Sequence, residues 1–421
     1  MLTKGPKGTK DMLPAESRKW NYVEEVFKDV CRSYGFNEIR TPMFEHTELF
    51  TRGVGDTTDI VQKEMYTFLD HGDRSITLKP EGTSPVVRSF VEHKMYADAQ
   101  PTKLYYVTPC FRYERPQSGR LREFHQFGVE TFGSHSMMAD AEIISLAYSL
   151  IKRLGLKQVE LRINSVGCPK CRKEHRRLLK DFLNDKKDLL CETCQTRLEK
   201  NPMRIIDCKS PDCQHHIEGA PMMADHLCHE CREDFHQLQH YLNSMNIPYT
   251  VDKKIVRGLD YYTKTAFEWV TSAAGAQGTL CGGGRYDHLI EEVGGPDTPG
   301  VGFGLGIERL LMVMEAEGVY LPEEQGDDVY IAAMGEAAID KGLSILTQLR
   351  ELGLRCQMDM MNKGFKGQFK QADRLKSKLV LIIGEDELER NEISIKELAT
   401  SSQYVVSMDD MKEKVLEALK K

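Results

Sequence analysis

Apolar residues recur at helical spacing near the start of the chain. Between residues 16 and 34 they alternate with charged positions as Trp20, Val23, Phe27, Val30 and Tyr34. Gly35 follows directly, and glycine commonly ends a helix. The pattern therefore predicts an amphipathic helix that packs on a core.

Short strand patterns follow this helix. They cover residues 38–42, 76–78, 104–107 and 124–131. Pro42 ends the first one, because proline cannot donate a hydrogen bond in a central strand. Regular alternation in the last one puts four residues on one face, namely Phe124, Gln126, Gly128 and Glu130. Since Gly128 would leave room for a ligand there, this face suits the recognition of a small polar molecule.

The pattern changes between about residues 165 and 245. Paired cysteines, lysines, arginines and helical spacing replace the strand signals there. We interpret this segment as a helical, Cys-rich insertion in the first domain. Strand and glycine signals resume over residues 250–306, and a further helix is expected from about Gly306.

An acidic stretch broken by Gly and Pro, residues 315–328, indicates a linker. Beyond it, strands alternate with helices; the strands are expected at 329–334, 355–358 and 379–383, and the helices at 336–352, 367–377 and 409–420. This alternation predicts a small α/β domain over residues 323–421, after a first domain over residues 1–322. A chain of 421 residues also exceeds what one core usually organises.

Composition narrows the class of protein. Charged residues make up 29%, and no apolar run approaches the roughly 18 residues of a membrane span. The N-terminus lacks the apolar stretch of a secretory signal. We expect a cytoplasmic globular protein without a membrane partner. The net charge of -7 argues against indiscriminate binding to DNA or RNA, although a local basic surface remains compatible with it.

The densest set of candidate functional residues lies in residues 111–130. Four arginines surround a Pro/Gly turn there: Arg112, Arg115, Arg120 and Arg122. A planar guanidinium binds phosphate bidentately and keeps its charge in a site that excludes water. The group favours phosphate binding, whereas any one of these arginines alone would more often be a solvated surface charge.

Residues 111–130 closely resemble motif 2 of the class II aminoacyl-tRNA synthetases. Residues 38–45 resemble motif 1, a dimer-interface element, and residues 302–309 resemble motif 3. The resemblance implies an α+β fold with an antiparallel catalytic sheet, ATP as a substrate with Mg²⁺ on its phosphates, and a homodimer. In the third segment, Gly302, Gly304 and Gly306 are expected to let a flat base approach the backbone.

Three further segments resemble the histidyl-tRNA synthetases in particular. They are residues 79–83 (Lys-Pro-Glu-Gly-Thr), 257–262 (Arg-Gly-Leu-Asp-Tyr-Tyr) and 281–287 (Cys-Gly-Gly-Gly-Arg-Tyr-Asp). The resemblance implies activation of L-histidine by ATP to histidyl-adenylate and its transfer to the 3′ end of histidine tRNA. It also implies that the C-terminal domain is an anticodon-binding domain.

Two alternatives belong to other classes. One is the non-catalytic, synthetase-like regulatory subunit of ATP phosphoribosyltransferase, which Arg257, an intact motif 2 and the C-terminal domain disfavour. The other is a nucleotide-binding oxidoreductase, but residues 281–284 do not form a GxGxxG pattern after a first strand.

The resemblance assigns roles to single residues. Arg112 and Arg257 are the expected catalytic cations. The ATP site adds Glu114, Arg120 and Arg309, and the histidine site comprises Glu81, Thr83, Gln126, Glu130, Tyr261, Tyr262 and Tyr286. Within the histidine site, Glu130 and Tyr262 are expected to hold the two imidazole nitrogens. Tyr261 is equally compatible with core packing.

Eight of the twelve cysteines lie in the predicted insertion. Cys168, Cys171, Cys191 and Cys194 form two CxxC pairs near zinc-ribbon spacing, and a second tetrahedral set is Cys208, Cys213, Cys228 and Cys231. This spacing predicts structural Zn²⁺, with reduced thiols as the alternative. Four cations of the same insertion leave contact with the tRNA acceptor stem as an open question: Arg172, Lys173, Arg176 and Arg177.

A basic stripe is predicted on a helix of the C-terminal domain. Lys366, Lys370, Arg374 and Lys378 recur at every fourth residue. Such charges usually form a solvated helix face. The resemblance to an anticodon-binding domain favours contact with tRNA phosphates instead, which would position the anticodon stem without reading its sequence.

Overall fold

The computed structural model describes residues 3–55, 58, 60–117, 119–208, 210–273, 278–322 and 325–420. The chain divides into two compact units, Met1–Pro322 and Glu323–Lys421. Within the described ranges, no helix combines the length and the apolar character needed to cross a bilayer.

The first unit contains a large, mainly antiparallel sheet and a small antiparallel one. Its strands are β1 (Asn37–Glu38), β2 (Phe44–His46), β3 (Tyr66–Leu69), β4 (Ser75–Leu78), β5 (Thr102–Phe111), β6 (Glu123–Phe132), β7 (Val159–Ser165), β8 (Thr250–Val251), β9 (Thr263–Thr271), β10 (Thr279–Arg285) and β11 (Gly300–Gly306). The large sheet has the order β1-β5-β6-β11-β10-β9-β7-β8, and the small one has the order β2-β4-β3. The pairs β1/β5 and β7/β8 are parallel, and the other pairs are antiparallel.

The helices of this unit are α1 (Pro14–Ser33), α2 (Thr47–Phe50), α3 (Thr83–Glu92), α4 (Met137–Arg153), α5 (Pro169–Leu183), α6 (Glu192–Lys200), α7 (Pro211–His216), α8 (His229–Ser244), α9 (Leu289–Glu292) and α10 (Ile307–Ala316). Helix α1 confirms the amphipathic helix expected from its spacing. Together with α4, α8 and α10 it forms one hydrophobic core against the large sheet. Phe27 of α1, for example, stacks on Phe127 of β6 with ring centroids 4.3 Å apart.

Alternation along β6 separates this core from the opposite face of the sheet. Phe127 and Val129 are fully buried in the helix-covered core. Gln126, Gly128 and Glu130 point the other way, as the predicted period of two requires. The candidate site is therefore built on the face away from α1.

The predicted helical insertion is present. It follows β7, includes α5 to α8 and returns to β8, the parallel neighbour of β7. Its apolar residues form a separate core that includes Leu179, Leu183 and Leu198. Helix α8 leaves this core and packs on the large sheet through Leu238 and Leu242. The insertion is consequently attached to the sheet at both of its ends.

The second unit has a mixed sheet covered by helices. Its strands are β12 (Val329–Ala333), β13 (Cys356–Met358), β14 (Leu379–Ile383), β15 (Glu392–Glu397) and β16 (Gln403–Ser407), and its helices are α11 (Glu336–Glu351), α12 (Phe365–Arg374), α13 (Glu385–Glu389) and α14 (Met411–Lys420). The order is β13-β12-β14-β15-β16. The first three strands are parallel and were predicted, whereas the antiparallel hairpin β15/β16 was not.

Candidate functional site

Glycines occupy many of the central positions on the site face of the large sheet. Two rows of paired residues cross the central strands: Glu130, Gly302 and Gly284 form one, and Gly128, Gly304, Gly282 and Glu268 form the other. Because glycine has no side chain, a neighbouring side chain or a ligand can lie close to the backbone at these positions. Gln126, Glu130 and Glu268 are the acidic and amide groups that stand among these glycines.

A cavity of about 510 Å³ opens on this face. Residues from the arginine-rich turn, from the 257–262 segment and from the start of α10 line it together. The predicted site residues among them are Arg112, Glu114, Arg120, Gln126, Arg257 and Arg309. The fold thus brings into one space cations that are far apart in sequence.

Arg257 is held against the sheet by charge and by shape. Its Nη1 lies 2.5 Å from Glu268 Oε1, and its guanidinium lies 5.3 Å from the ring centroid of Tyr262. Burial acts to lower the pKa of Arg257, but Tyr262 and Glu268 outweigh burial, so that its pKa is raised and it stays charged. A Cβ on Gly282 would stand 2.5 Å from Nη2. Gly282 is therefore required for this position of the guanidinium.

Arg112 lies at the other side of the cavity. Its Nε donates to the Pro80 carbonyl at 2.8 Å, and its guanidinium lies 5.1 Å from the Phe124 ring centroid. Glu114 accepts a hydrogen bond from Arg120 at 3.2 Å. With these contacts Arg112 and Arg120 both line the cavity, where they would contact a bound anion.

Arg309 joins this group from the first turn of α10. Its Nη1 donates to the Thr279 carbonyl at 3.0 Å. Burial and then the neighbouring charge of Arg120 lower its pKa. Like charges in a partly buried space repel one another, so a bound anion would stabilise this cluster of cations.

Glu130 lies in a buried pocket of hydroxyl groups. Its side chain is fully buried. Oε1 accepts from Thr83 Oγ1 at 2.8 Å and from the Tyr106 hydroxyl at 3.0 Å, and Oε2 accepts from the Tyr286 hydroxyl. Burial raises the pKa of Glu130 to about 8, although these hydrogen bonds oppose the shift. The pocket can therefore hold Glu130 in either protonation state near neutral pH.

Glu81 and Gln126 contact the start of α3. The two carboxylate oxygens of Glu81 accept from the backbone amides of Thr83 and Ser84 at 2.8 and 2.7 Å. Gln126 Oε1 accepts from the Gly82 amide at 3.2 Å. These bonds fix the segment 81–84 beside β6, so that the predicted residues Glu81, Thr83, Gln126 and Glu130 lie close together.

The tyrosines of the predicted histidine site form one buried cluster. Tyr261 contacts Tyr262 and Tyr286, with ring centroids 4.7 and 5.5 Å apart respectively. Burial raises the pKa of Tyr262, while Arg257 opposes the shift. The described hydroxyl partners of Glu130 are Thr83, Tyr106 and Tyr286, and Tyr262 instead lies beside Arg257. Tyr261 is buried in the hydrophobic cluster on this face of the sheet, and core packing is one of its two expected roles.

The expectation of free space over Gly128 was wrong. Tyr106 of β5 pairs with Gly128, and a Cβ on Gly128 would overlap the Tyr106 ring. Gly302 is covered in the same way by the Glu130 side chain, whereas Gly306 is open and lines the cavity. Space for a flat base is thus found at Gly306 rather than along all three glycines of β11.

Sequence reasoning missed Tyr106 and Glu268. Tyr106 fills the space over Gly128 and donates to Glu130. Glu268 orients Arg257. A register argument would have found Tyr106, because an aromatic residue often covers a glycine opposite to it in a neighbouring strand. No comparable local signal marks Glu268.

The predicted grouping of the cysteines was also wrong. Within the described residues the thiols gather into two sets. The root quartet is Cys168, Cys171, Cys228 and Cys231, and the internal quartet is Cys191, Cys194, Cys208 and Cys213. The 15-residue helix α5, about 22 Å long at 1.5 Å per residue, carries the chain away from Cys171. The segment before α8, whose Met223 and Leu227 pack against Cys171, brings it back. Cys228 and Cys231 therefore replace Cys191 and Cys194 as partners of the first pair.

The other cations considered for contact with tRNA differ in whether they are buried against the protein or exposed to solvent. Arg172 faces inward, and its guanidinium donates to the carbonyls of Asp260 and Tyr262. Lys366, Lys370 and Arg374 are exposed on α12. Lys378 lies beyond the end of that helix and pairs with Asp328 at 2.7 Å, so it does not extend the predicted stripe.

Known proteins match the chain over almost its full length. The model of the histidyl-tRNA synthetase family matches residues 8–310, and that of an anticodon binding domain matches residues 328–418. A histidine–tRNA ligase of Alkaliphilus oremlandii is 57% identical over 98% of both chains, and one of Clostridioides difficile is 54% identical over 100% of both. The crystal structure of apo S. aureus histidyl-tRNA synthetase has 42% identity and a TM-score of 0.84, covering 98% of this chain and 99% of that one. This chain belongs to the histidyl-tRNA synthetase family.

Proposed function

We propose that this protein activates L-histidine with ATP and transfers the histidyl group to the 3′ end of histidine tRNA. The observation that carries the proposal is the convergence of Arg112 and Arg257 on one cavity beside the Glu130 pocket. Family membership supports the same reaction.

The first step joins two negatively charged groups. An oxygen of the histidine carboxylate forms a bond to the α-phosphorus of ATP, the bond from that phosphorus to the bridging oxygen breaks, and pyrophosphate leaves with the electron pair. Arg112 and Arg257 line the cavity as fixed cations. They would neutralise the approaching oxygens and the charge that grows in the transition state, so that no general base is needed.

ATP binds in this proposal at Glu114, Arg120 and Arg309, with the adenine over the open backbone at Gly306. Mg²⁺ would neutralise the phosphates when bound. Carboxylate oxygens are its preferred protein ligands, and Glu114, Glu268 and Glu308 supply them at the cavity. We assign Zn²⁺ a structural place only, in the root and internal quartets.

Histidine would bind with its imidazole in the Glu130 pocket. A neutral imidazole offers one donor and one acceptor, which a carboxyl group and the Tyr262 phenol can satisfy together. One nitrogen would replace an internal hydroxyl partner of Glu130. Thr83, Tyr106 and Tyr286 hold the carboxyl group in place for this exchange. An analogue without one nitrogen would leave a buried group unpaired, which can cost roughly 10⁴–10⁵ in specificity.

The α-amino end would lie at Glu81, Thr83 and Gln126. Both oxygens of Glu81 accept backbone amides. Each carboxylate oxygen carries more than one lone pair, so Glu81 can accept the ammonium group in addition. The same hydrogen bonds fix its orientation.

The second unit would hold the tRNA. Lys366, Lys370 and Arg374 are exposed on one helix of a domain that matches the anticodon binding family. Phosphate contacts from this helix would position the anticodon stem. We further propose that the protein works as a homodimer through residues 38–45 and in the cytoplasm, and equilibrium sedimentation tests the dimer directly.

The regulatory subunit of ATP phosphoribosyltransferase is disfavoured as an alternative. A non-catalytic subunit does not need two cations that converge on one cavity. ATP–pyrophosphate exchange separates the two functions, because a synthetase supports histidine-dependent exchange. Absence of exchange with histidine, in protein that still binds histidine, would instead favour the regulatory role.

A further inference from the structure

The root quartet joins the two ends of the insertion. Cys168 lies three residues after the end of β7 and is the N-cap residue of α5, and Cys228 is the N-cap residue of α8. Cys228 also donates its backbone amide to Cys171 Sγ at 3.1 Å. The four thiols therefore connect the chain entering the insertion with the chain leaving it.

The spacing of these thiols fits a tetrahedral metal site. Cys168 Sγ lies 3.7 Å from Cys171 Sγ and 3.9 Å from Cys228 Sγ. Thiolates bound to Zn²⁺ at about 2.3 Å stand roughly 3.8 Å apart in a tetrahedron. A disulfide needs about 2.05 Å between its sulfur atoms, and all four cysteines are free. The chemistry of the quartet, a set of four thiols, is that of a structural zinc site.

Arg172 lies one helical turn beyond Cys168. Its backbone amide donates to the Cys168 carbonyl at 2.9 Å. Its side chain points away from solvent and donates to the carbonyls of Val166, Asp260 and Tyr262. One guanidinium thereby ties Val166, the residue after β7, to the segment that carries Tyr262.

The insertion contacts the same segment at two further points. Asn201 Nδ2 donates to Asp260 Oδ1 at 2.9 Å, and Arg204 Nη2 donates to the Gly258 carbonyl at 3.1 Å. Both donors lie between Cys194 and Cys208 of the internal quartet. The 257–262 segment has no regular secondary structure. Its path is consequently fixed in large part by the insertion.

We propose that the root quartet binds Zn²⁺ and that this metal fixes the position of Arg172. Through Arg172 the insertion positions Tyr262 for histidine recognition. This role in recognition rests on the proposed function, whereas the metal site does not. Zn²⁺ binds four thiolates and displaces their protons to solvent. Arg172 is a positioning residue here, because it contacts the backbone of the recognition segment and not the reacting atoms. Loss of the metal should therefore weaken histidine binding more than ATP binding.

The first experiment counts zinc in protein purified without chelator. We expect two zinc ions per chain, one for each quartet, and one ion per chain in Cys231→Ser. A wild-type protein without zinc at the root quartet, or an unchanged count in Cys231→Ser, overturns the metal site. This count does not depend on enzymatic activity, so it stands apart from any failure of the proposed function.

The second experiment measures Michaelis constants in ATP–pyrophosphate exchange. Arg172→Met keeps the aliphatic stem but loses the three carbonyl contacts. We expect it to retain two zinc ions, to raise the histidine KM by about tenfold or more, and to leave the ATP KM within about twofold. Cys231→Ser should likewise raise the histidine KM and leave the ATP KM nearly unchanged. Lys173→Met, at the exposed neighbouring position on α5, serves as the control and should change neither constant. Equal effects on both KM values, or none in Arg172→Met, would contradict the positioning role.

Discussion

Thr83 Oγ1 donates to Glu130 Oε1 at 2.8 Å and so joins the first turn of α3 to the middle of β6. The two residues are 47 positions apart in sequence. The bond completes a set of three hydroxyls around a carboxyl group that has no access to solvent. The protonation of Glu130 is therefore coupled to the stability of the fold as well as to the recognition of an imidazole.

This coupling predicts a pH dependence of stability. The pKa of Glu130 is raised from its ordinary value of 4.5 to about 8 in the folded protein. Between those values the folded state keeps a proton that the unfolded chain releases, so the contribution of Glu130 to stability falls as the pH rises. Glu130→Gln has no such proton. Its free energy of unfolding, relative to wild type, should rise from pH 5 to pH 8 by up to about 1.4 kcal/mol per pH unit.

Urea unfolding of both proteins at each pH measures this difference. Above pH 8 the difference should become constant, because both states of the wild type are then ionised. Parallel stability curves across the whole range would mean that Glu130 has an ordinary pKa in the folded protein.

Gly282 and Arg257 supply a second prediction. Arg257→Ala should lower the rate of ATP–pyrophosphate exchange by about 10²–10³, since it removes a preorganised cation. Gly282→Ala adds a Cβ 2.5 Å from the present position of Arg257 Nη2. The displaced guanidinium should cost up to about 10² in rate. Gly364→Ala is the matched control, because its added Cβ meets open space in the second unit. Equal rates in Gly282→Ala and Gly364→Ala would refute the steric argument.

The buried pair of Arg285 and Asp140 predicts a purely structural defect. Their side chains are 1% and 0% exposed, and Arg285 Nε lies 3.1 Å from Asp140 Oδ2. Asp140→Asn leaves a buried guanidinium without its main counter-charge. We expect the free energy of unfolding to fall by about 3 kcal/mol. Asp29→Asn breaks an exposed pair with Arg32 and should change it little. Similar losses in both variants would show that burial of the pair does not matter.

The basic face of α12 predicts an effect confined to tRNA. Replacing Lys366, Lys370 and Arg374 together by glutamine should raise the tRNA KM by about tenfold, with less effect at high salt. ATP–pyrophosphate exchange should stay at its wild-type rate, because that step does not involve tRNA. Lys341→Gln on α11 is the control, since α11 and α12 pack on opposite faces of the sheet. A wild-type tRNA KM in the triple variant would exclude this surface.

Local pattern predicted much of the molecule. Alternation along β6 separated the core face of Phe127 from the site face of Glu130, and helical spacing predicted α1. The resemblance to family motifs identified both Arg112 and Arg257 as site residues, and both line one cavity. These inferences succeed because they depend on periods of two and 3.6 residues, or on short segments that resemble the motifs of a known family.

The failures involve contacts that no local period encodes. Tyr106 covers Gly128 because of the register between β5 and β6. Cys171 meets Cys228 because the chain leaves along α5 and returns through the segment that ends at the start of α8. Glu268 meets Arg257 because the chain turns after Arg257 and continues into β9, which carries Glu268. Each depends on the three-dimensional path of the chain, which spacing alone does not determine.

The assignment of histidine as the substrate is tested by ATP–pyrophosphate exchange with each amino acid in turn. We expect rapid exchange with histidine, and exchange at least about 10⁴ times slower with competing amino acids that lack an imidazole donor or acceptor. In Arg257→Ala the exchange with histidine should fall by about 10²–10³. Exchange with another amino acid at a comparable rate, or no exchange with histidine in folded wild-type protein, would contradict this assignment.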